Sequence, residues 1–239
     1  MRIVHYFINY NDSWYFPFIK KHYSFCEKIV CLDNYSTDNS EELAKELGFE
    51  FRRFGIEGVL SDEEYLKVKN NVWKECRGQG IDYVIVGDAD EFLWIPDKEL
   101  LPERNFYSKQ RMGTAPIVVG YDMTSETLPK NVITEINTGF FFSQYSKQAI
   151  FNPDKIEEIN YKAGCHQNEM KGEITRNIFS PCVLLHYRCI GGVQRLIDRQ
   201  NEYLVRMTNN GSNGAHYRLS EAEKRREWVE RMGKAIMLF

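Results

Sequence analysis

Asp88 and Asp90 close an apolar run, Val84-Ile85-Val86-Gly87, and are followed by Glu91-Phe92. A buried strand that ends in two carboxylates, one residue apart, gathers charges that are costly to leave unpaired. A hard divalent cation meets that need with oxygen ligands. Mg2+ or Mn2+ held by one or two carboxylates also keeps positions open for phosphate oxygens. The plainer account is a pair of solvated loop acids capping the next turn. The apolar strand directly before them favours the metal. A second group, Asp33-Asn34-Tyr35-Ser36-Thr37-Asp38, follows the apolar residues Ile29 to Leu32. A capped turn explains Asp38 and Ser40. It leaves Asp33 and Asn34, whose carboxylate and amide at a strand end could hydrogen-bond a base edge. An EF-hand is excluded, because Tyr35 and Asn39 stand where that loop needs a ligand and a glycine.

The elements that must hold these groups are legible as alternating strand and helix signals. Strands are expected at 2–8, 28–32, 49–54 and 81–87. Helices are expected at 13–25, with Pro17 in the first turn, and from Asp38 to a stop at Gly48, with Glu41 as capping-box partner. A third is expected at 63–77, where Leu66, Asn70 and Trp73 fall on adjacent turns. This alternation implies an α/β fold with a doubly wound, mostly parallel sheet. Ligands of such sheets bind beyond the carboxyl ends of the strands. Asn9 and Asn11, Asp33 and Asn34, and Asp88 and Asp90 all fall at those ends. The second half is less regular. Strands are expected at 115–121, 139–145 and 181–187, a helix at 192–207, a flexible break at 210–214, and a last helix capped by Ser220 with Glu223. One domain is expected over 1–209, with 210–239 as a C-terminal helical extension.

Together these segments resemble the GT-A glycosyltransferases, and locally glycosyltransferase family 2 and its relatives with an Asp-x-Asp-Glu-Phe motif. Asp33-Asn34-Tyr35-Ser36-Thr37-Asp38 is similar to the family's Asp-Asp/Asn-x-Ser-Thr-Asp turn. Val86-Gly87-Asp88-Ala89-Asp90-Glu91-Phe92 is similar to its metal motif, and Asn9-Tyr10-Asn11-Asp12 to its opening segment. Lys147-Gln148-Ala149-Ile150-Phe151-Asn152-Pro153 and Leu185-His186-Tyr187 fall where relatives carry Lys-x-Ile-x-Arg-Pro-like and Asn-His-Tyr-like segments. The order and spacing of the motifs, more than any one of them, carry the resemblance, which covers residues 1 to 200 approximately.

The resemblance implies a GT-A fold and transfer of a hexosyl group from a nucleoside-diphosphate sugar, a UDP-sugar favoured, with Mn2+ or Mg2+ as cofactor. It implies a glycan or lipid-linked saccharide acceptor, inversion at the sugar carbon, and a setting in surface polysaccharide or lipopolysaccharide synthesis. Asp33 would face the nucleobase with Asn9 and Asn34. Asp88 would contact the ribose or a metal-bound water. Asp90 would bind the metal directly, and His186 would be a late metal ligand, with His166 as its competitor. Lys67, Asn70 and Asn71 share a face of the helix before the metal strand, and residues of this helix approach the nucleotide in relatives. The alternative for that face is plain solvation. Lys147 would meet a donor phosphate or an acceptor charge. An inverting transferase also needs a general base for the acceptor hydroxyl. The candidates are Asp122 and Glu126, which follow a strand, and Glu169.

Composition narrows the alternatives. The 239 residues carry 31 Lys and Arg against 34 Asp and Glu, a formal charge of -3, so no basic surplus points to nucleic acid. No apolar run reaches the length of a membrane span, and the N-terminus lacks a signal-peptide layout. The six cysteines include no Cys-x-x-Cys pair, which argues against structural zinc, and without an export signal reduced thiols are expected. A cytoplasmic place is expected, at the inner face of the membrane for a lipid-linked acceptor. The segment 221–239 has an apolar side and nearly balanced charge. It suits peripheral contact with a membrane or, in keeping with that balance, a packing or oligomer helix. A haloacid-dehalogenase-like phosphatase is rejected, since Phe92 replaces the Thr or Val of its motif. A nucleotidyltransferase would need a glycine-rich basic loop after the first strand, and Ile8-Asn9-Tyr10-Asn11-Asp12 offers none. The remaining rival is an inactive nucleotide-sugar or glycan-binding module.

Overall fold

The computed structural model describes residues 1–95, 112–178, 181–207 and 215–238. Unbroken apolar runs, suited to burial on both faces, build the central strands. Strands β1 (Ile3–Asn9), β2 (Lys28–Asp33), β3 (Glu50–Arg53) and β4 (Tyr83–Asp88) are parallel, in the order β3-β2-β1-β4. A short strand β8 (Ile150–Phe151) closes the sheet antiparallel to β4. Side-chain parity divides the core. Ile3, Phe7, Ile29, Cys31, Tyr83 and Ile85 join one cluster, and Val4, Tyr6, Ile8, Val30, Val84 and Val86 join the other.

Helix α1 (Phe16–His22) follows a single 3-10 turn, Ser13–Tyr15, and has Pro17 in its first turn as expected. Helix α2 (Ser40–Glu46) starts later than expected, and no capping box joins Asp38 to Glu41. The Asp38 carboxylate instead accepts from Ser40 N at 3.0 Å and Ser13 N at 3.2 Å, stitching the loops after β1 and β2 together. Glu41 pairs with Lys45 and Arg53. Helix α3 (Asp62–Asn71) is capped by Ser61 and tightens into a 3-10 turn, Val72–Cys76, that drives Trp73 into the second cluster.

Apart from β8, the strands after β4 do not extend the first sheet. Strands β5 (Glu91–Trp94), β6 (Val118–Ser125), β7 (Thr138–Phe141), β11 (Cys182–Ile190) and β12 (Ile236–Met237) form a separate mixed sheet, in the order β12-β7-β6-β11-β5. A small ribbon joins β9 (Ile156–Glu158) and β10 (Lys171–Gly172). Two tyrosines tie the layers: Tyr15 Oη donates to Tyr187 O at 2.8 Å, and Tyr23 Oη donates to Glu91 O at 3.2 Å. Helix α4 (Gly192–Arg206) and helix α5 (Glu221–Lys234) come last, the latter starting with the expected Ser220–Glu223 capping box. Trp228 of α5 packs with Cys189 and Leu196, and β12 pairs with β7, so this segment is built onto the second sheet. The expected break at 210–214 and the expected boundary after 209 lie outside the described residues. Among those described, no helix is long and apolar enough to cross a membrane.

His5 on β1 is 1% exposed, its ring lies 3.9 Å from that of Tyr23, and neither ring nitrogen has a hydrogen-bond partner. Burial, aided by the charge of His22, pushes its pKa down to about 3 from 6.5. The folded state therefore holds the neutral ring. This contribution to stability is complete above the unfolded value and is lost as pH falls towards 3, by ~1.4 kcal/mol per unit. His5→Phe should flatten the acid limb in urea unfolding from about pH 7 to 4. Parallel curves for variant and wild type would assign that limb to other groups.

Candidate carboxylate–imidazole metal site

The carboxyl ends of β1, β2 and β4 lie side by side, with Asn9 opposite Asp33 and Ile8 opposite Asp88. Asp33 is buried and fully engaged. Its Oδ1 accepts from Asn9 Nδ2 at 2.8 Å and from Ser36 Oγ at 2.5 Å, and its Oδ2 accepts from Ser36 N at 2.9 Å. Asn9 Nδ2 also reaches Ser40 Oγ, and Asn9 Oδ1 is buried without a donor. Asn34 donates to Phe54 O at 3.1 Å and accepts from Arg206 at the end of α4. The Arg206 guanidinium stacks 3.3 Å from the centroid of the Tyr10 ring, and its Nε and Nη1 are buried without acceptors.

Asp88 is held by two lysines. Lys69 Nζ lies 2.6 Å from its Oδ1, and Lys147 Nζ lies 3.4 Å from its Oδ2. Burial would raise the pKa of Asp88, but Lys69 and then Lys147 outweigh it and hold it well below the usual carboxylate range. Glu91 folds back into the same cluster, with Oε1 2.5 Å from Lys147 Nζ and Oε2 accepting from Asp88 N at 3.1 Å. Gly87 leaves room for this: a Cβ there would lie 3.2 Å from Glu91 Oε2 and crowd that carboxylate. Two lysines thus balance two carboxylates, and no charge is left over.

Asp90 differs. Its side chain is 17% exposed, and its ion-pair contact among the described residues is His186, with Nε2 3.6 Å from Oδ2, while the buried Arg188 and Asp12 act on it from further away. Strand register puts His186 there. β11 runs between β5 and β6, so His186 stands opposite Glu91 on one side and Asp122 on the other. Asp122 Oδ1 lies 3.4 Å from His186 Nδ1, and Asp122 Oδ2 pairs with Arg231 of α5. The Tyr145 ring packs on the imidazole at 4.0 Å. Gly120 permits that approach, since a Cβ there would lie 2.1 Å from the Tyr145 carbonyl carbon.

Asp90, Glu91 and His186 offer ligand atoms within 4.8 Å of one another. Glu91 is already committed to Lys147, so Asp90 and His186 are the open pair. Burial alone would lower the pKa of His186, yet Asp90 and Asp122 raise it. The site therefore favours a positive charge at the imidazole. A hydrogen bond from Nδ1 to a carboxylate, with Nε2 turned to a second carboxylate, is also how metal-binding histidines are oriented. The donor set fits Mn2+, which accepts both carboxylate and imidazole, and accommodates Mg2+ through oxygen and water.

The remaining expected residues are placed elsewhere or otherwise engaged. Lys67 and Asn71 are exposed: Lys67 approaches Glu64, and Asn71 donates to Lys67 O and accepts from Lys74. Lys69, one face round the same helix, is the residue turned inward. Its position three after Leu66 and four before Trp73 is a signal for burial that charge alone obscures. Asp122 is 0% exposed between Arg231 and His186, with no face for an acceptor hydroxyl. Glu126 is exposed and accepts from Trp228 Nε1 at 2.9 Å. Glu169 is exposed and pairs with Lys162 at 3.0 Å. His166 is exposed, with Nδ1 2.8 Å from Gln144 O. Arg206 and Arg231 had no motif to mark them, because both come from helices whose docking is non-local.

The class defined by these observations is an α/β protein with a carboxylate–imidazole site at the carboxyl edge of a parallel sheet. No family model matches the sequence, and comparison with curated proteins finds no match. Among solved structures, the chain is similar to glucosyl-3-phosphoglycerate synthase from Mycobacterium tuberculosis in complex with Mn2+, uridine diphosphate and glucosyl-3-phosphoglycerate. That likeness is at 17% identity over 51% of this chain and 44% of the other, with a TM-score of 0.30. A mycobacterial protein matches at 17% identity over 51% of this chain and 41% of the other, with a TM-score of 0.33. The Mycobacterium tuberculosis synthase with uridine diphosphate matches at 15% identity over 54% and 45%, with a TM-score of 0.28. The aligned part is less than half of each of these structures.

Proposed function

We propose that this chain is a metal-dependent GT-A glycosyltransferase that moves a hexosyl group from a nucleoside-diphosphate sugar, a UDP-sugar first among them, to a glycan or lipid-linked saccharide. The observation that carries this reading is Asp90, in the turn after β4, which among the described residues has no lysine or arginine within ion-pair distance and faces His186 Nε2 at 3.6 Å. It lies beside the strand ends where parallel sheets receive ligands. Asp90 and His186 would hold the cation. When bound, Mn2+ or Mg2+ offsets the charge that develops on the leaving diphosphate. Asn9 and Asn34, with the Tyr10 ring, line the ends of β1 and β2 on the side proposed for the nucleobase. Asp33 shapes the turn that holds Asn9. Asp88, paired with Lys69 and Lys147, fixes the loop that presents Asp90.

In this reading Asp122 orients His186 and does not take the acceptor's proton, because it is buried in an ion pair. The base role passes to Glu126 or Glu169. Glu126→Gln or Glu169→Gln, whichever removes the base, should lower kcat by ~10²–10⁴-fold with KM and Mn2+ affinity retained. Full activity in both would place the base elsewhere. Single displacement inverts the sugar carbon, which product NMR reads directly. The proposed setting is surface polysaccharide or lipopolysaccharide synthesis in the cytoplasm, beside the membrane where the acceptor is lipid-linked. The engagement of Asp122 and Glu126 by α5 favours one second reading, a nucleotide-sugar-binding module without catalysis. Donor binding without donor turnover would select it. The reading as a whole is tested by a thermal-shift screen of nucleotides and nucleotide sugars, with and without Mn2+. A Mn2+-dependent rise with one nucleoside diphosphate is expected. A flat response from folded protein would contradict it.

A further inference from the structure

The C-terminal helix reaches the heart of the proposed metal site. Arg231, near the end of α5, forms an ion pair with Asp122 Oδ2. The other oxygen of Asp122 faces His186 Nδ1 at 3.4 Å, and His186 Nε2 faces Asp90 at 3.6 Å. Four side chains from α5, β6, β11 and the β4–β5 turn therefore stand in one line. Asp122 has no exposed surface, so without a cation beside it the carboxylate would turn away from its present position. That turn would release His186 Nδ1. An imidazole released in this way can rotate, and Nε2 would no longer be held facing Asp90.

We propose that Arg231 is a positioning residue for the metal site. It holds the Asp122 carboxylate turned to His186 Nδ1, which fixes the imidazole with Nε2 facing Asp90. This rests on the reading of Asp90 and His186 as metal ligands. The arginine acts through two other side chains and touches neither ligand atom. Its last-turn position also suits a cation, because the helix C-terminus is electronegative. The same helix has a second polar anchor, Trp228 Nε1 on Glu126 at 2.9 Å, which has no part in this line. That anchor supplies a matched control for docking.

The test is Mn2+ titration of the full chain followed by electron paramagnetic resonance, which reads the free ion without any need for turnover. Arg231→Met should weaken Mn2+ binding by ~10-fold or more, as loss of an outer partner of a metal-bound histidine does. Arg231→Lys should recover part of the loss. Asp122→Asn should weaken binding similarly, and the Arg231→Met/Asp122→Asn double variant should be no worse than either single one. Trp228→Phe should lower thermal stability and leave Mn2+ affinity as in the wild type. If Arg231→Met does not fold, the double variant, which removes both charges of the buried pair, carries the same prediction. Wild-type Mn2+ affinity in the double variant would overturn the proposal. Equal losses in Arg231→Met and Trp228→Phe would also overturn it, reducing Arg231 to a docking contact. Failure of the wild type to bind Mn2+ is a separate result, and it would remove the metal reading itself.

Discussion

Asp90→Ala is expected to abolish Mn2+-dependent binding of a nucleoside diphosphate while leaving the fold intact. Among the described residues the carboxylate has no lysine or arginine within ion-pair distance to strand when it is removed, and its side chain is partly open to solvent. Its loss removes one of two open ligands, so Mn2+ affinity should fall by ~100-fold or more, about 2.7 kcal/mol. Asp88→Ala, two residues earlier, should behave in the opposite way. It leaves Lys69 and Lys147 without their shared partner and should cost stability first. The two acids of one motif are thus separable by Mn2+ titration and urea unfolding. His186→Ala should weaken Mn2+ binding more than His166→Ala, whose imidazole is exposed and bonded to Gln144 O. Unchanged Mn2+ binding in Asp90→Ala would remove the metal assignment. The reverse order of the histidines would move the ligand to His166.

The largest stability loss is expected at Lys147→Met. This ammonium is 4% exposed and lies 2.5 Å from Glu91 and 3.4 Å from Asp88. Burial would lower its pKa, but Glu91 and Asp88 raise it well above the usual lysine value. Removing it leaves Glu91 buried with no cation, and removal of one partner from a buried pair costs about 3–5 kcal/mol. That is a large part of the ~5–15 kcal/mol by which a domain is stable. Adding Glu91→Gln should restore some of it, because the stranded charge disappears. Urea unfolding gives the answer, and a loss under ~1 kcal/mol would show that the cluster is solvated and not structural.

What could be read from the sequence is local. Parallel strands buried on both faces announce themselves as unbroken apolar runs, so β1, β2 and β4 and the polar groups at their ends were foreseeable. The Ser220–Glu223 box also depends only on near neighbours. Partners were not foreseeable where strand register decides them. His186 meets Asp90 and Asp122 because β11 inserts between β5 and β6, a pairing that no short pattern encodes. The same holds for Lys147. The expectation for it is a donor phosphate or an acceptor charge, and the fold commits it to Glu91 and Asp88. Asp38 departs from its expected role for a subtler reason. Its spacing to Glu41 matches a capping box, but the loop after β1 approaches closely enough for Ser13 N to compete for its carboxylate.

The central claim is that a cation on Asp90 and His186 joins this chain to a nucleoside diphosphate. Calorimetric titration of UDP into the full chain, with and without Mn2+, tests it most directly. The account predicts binding that strengthens at least ~10-fold, about 1.4 kcal/mol, when Mn2+ is present, and that loses this gain in Asp90→Ala. Equal affinity with and without Mn2+, or the same gain in Asp90→Ala, would contradict it.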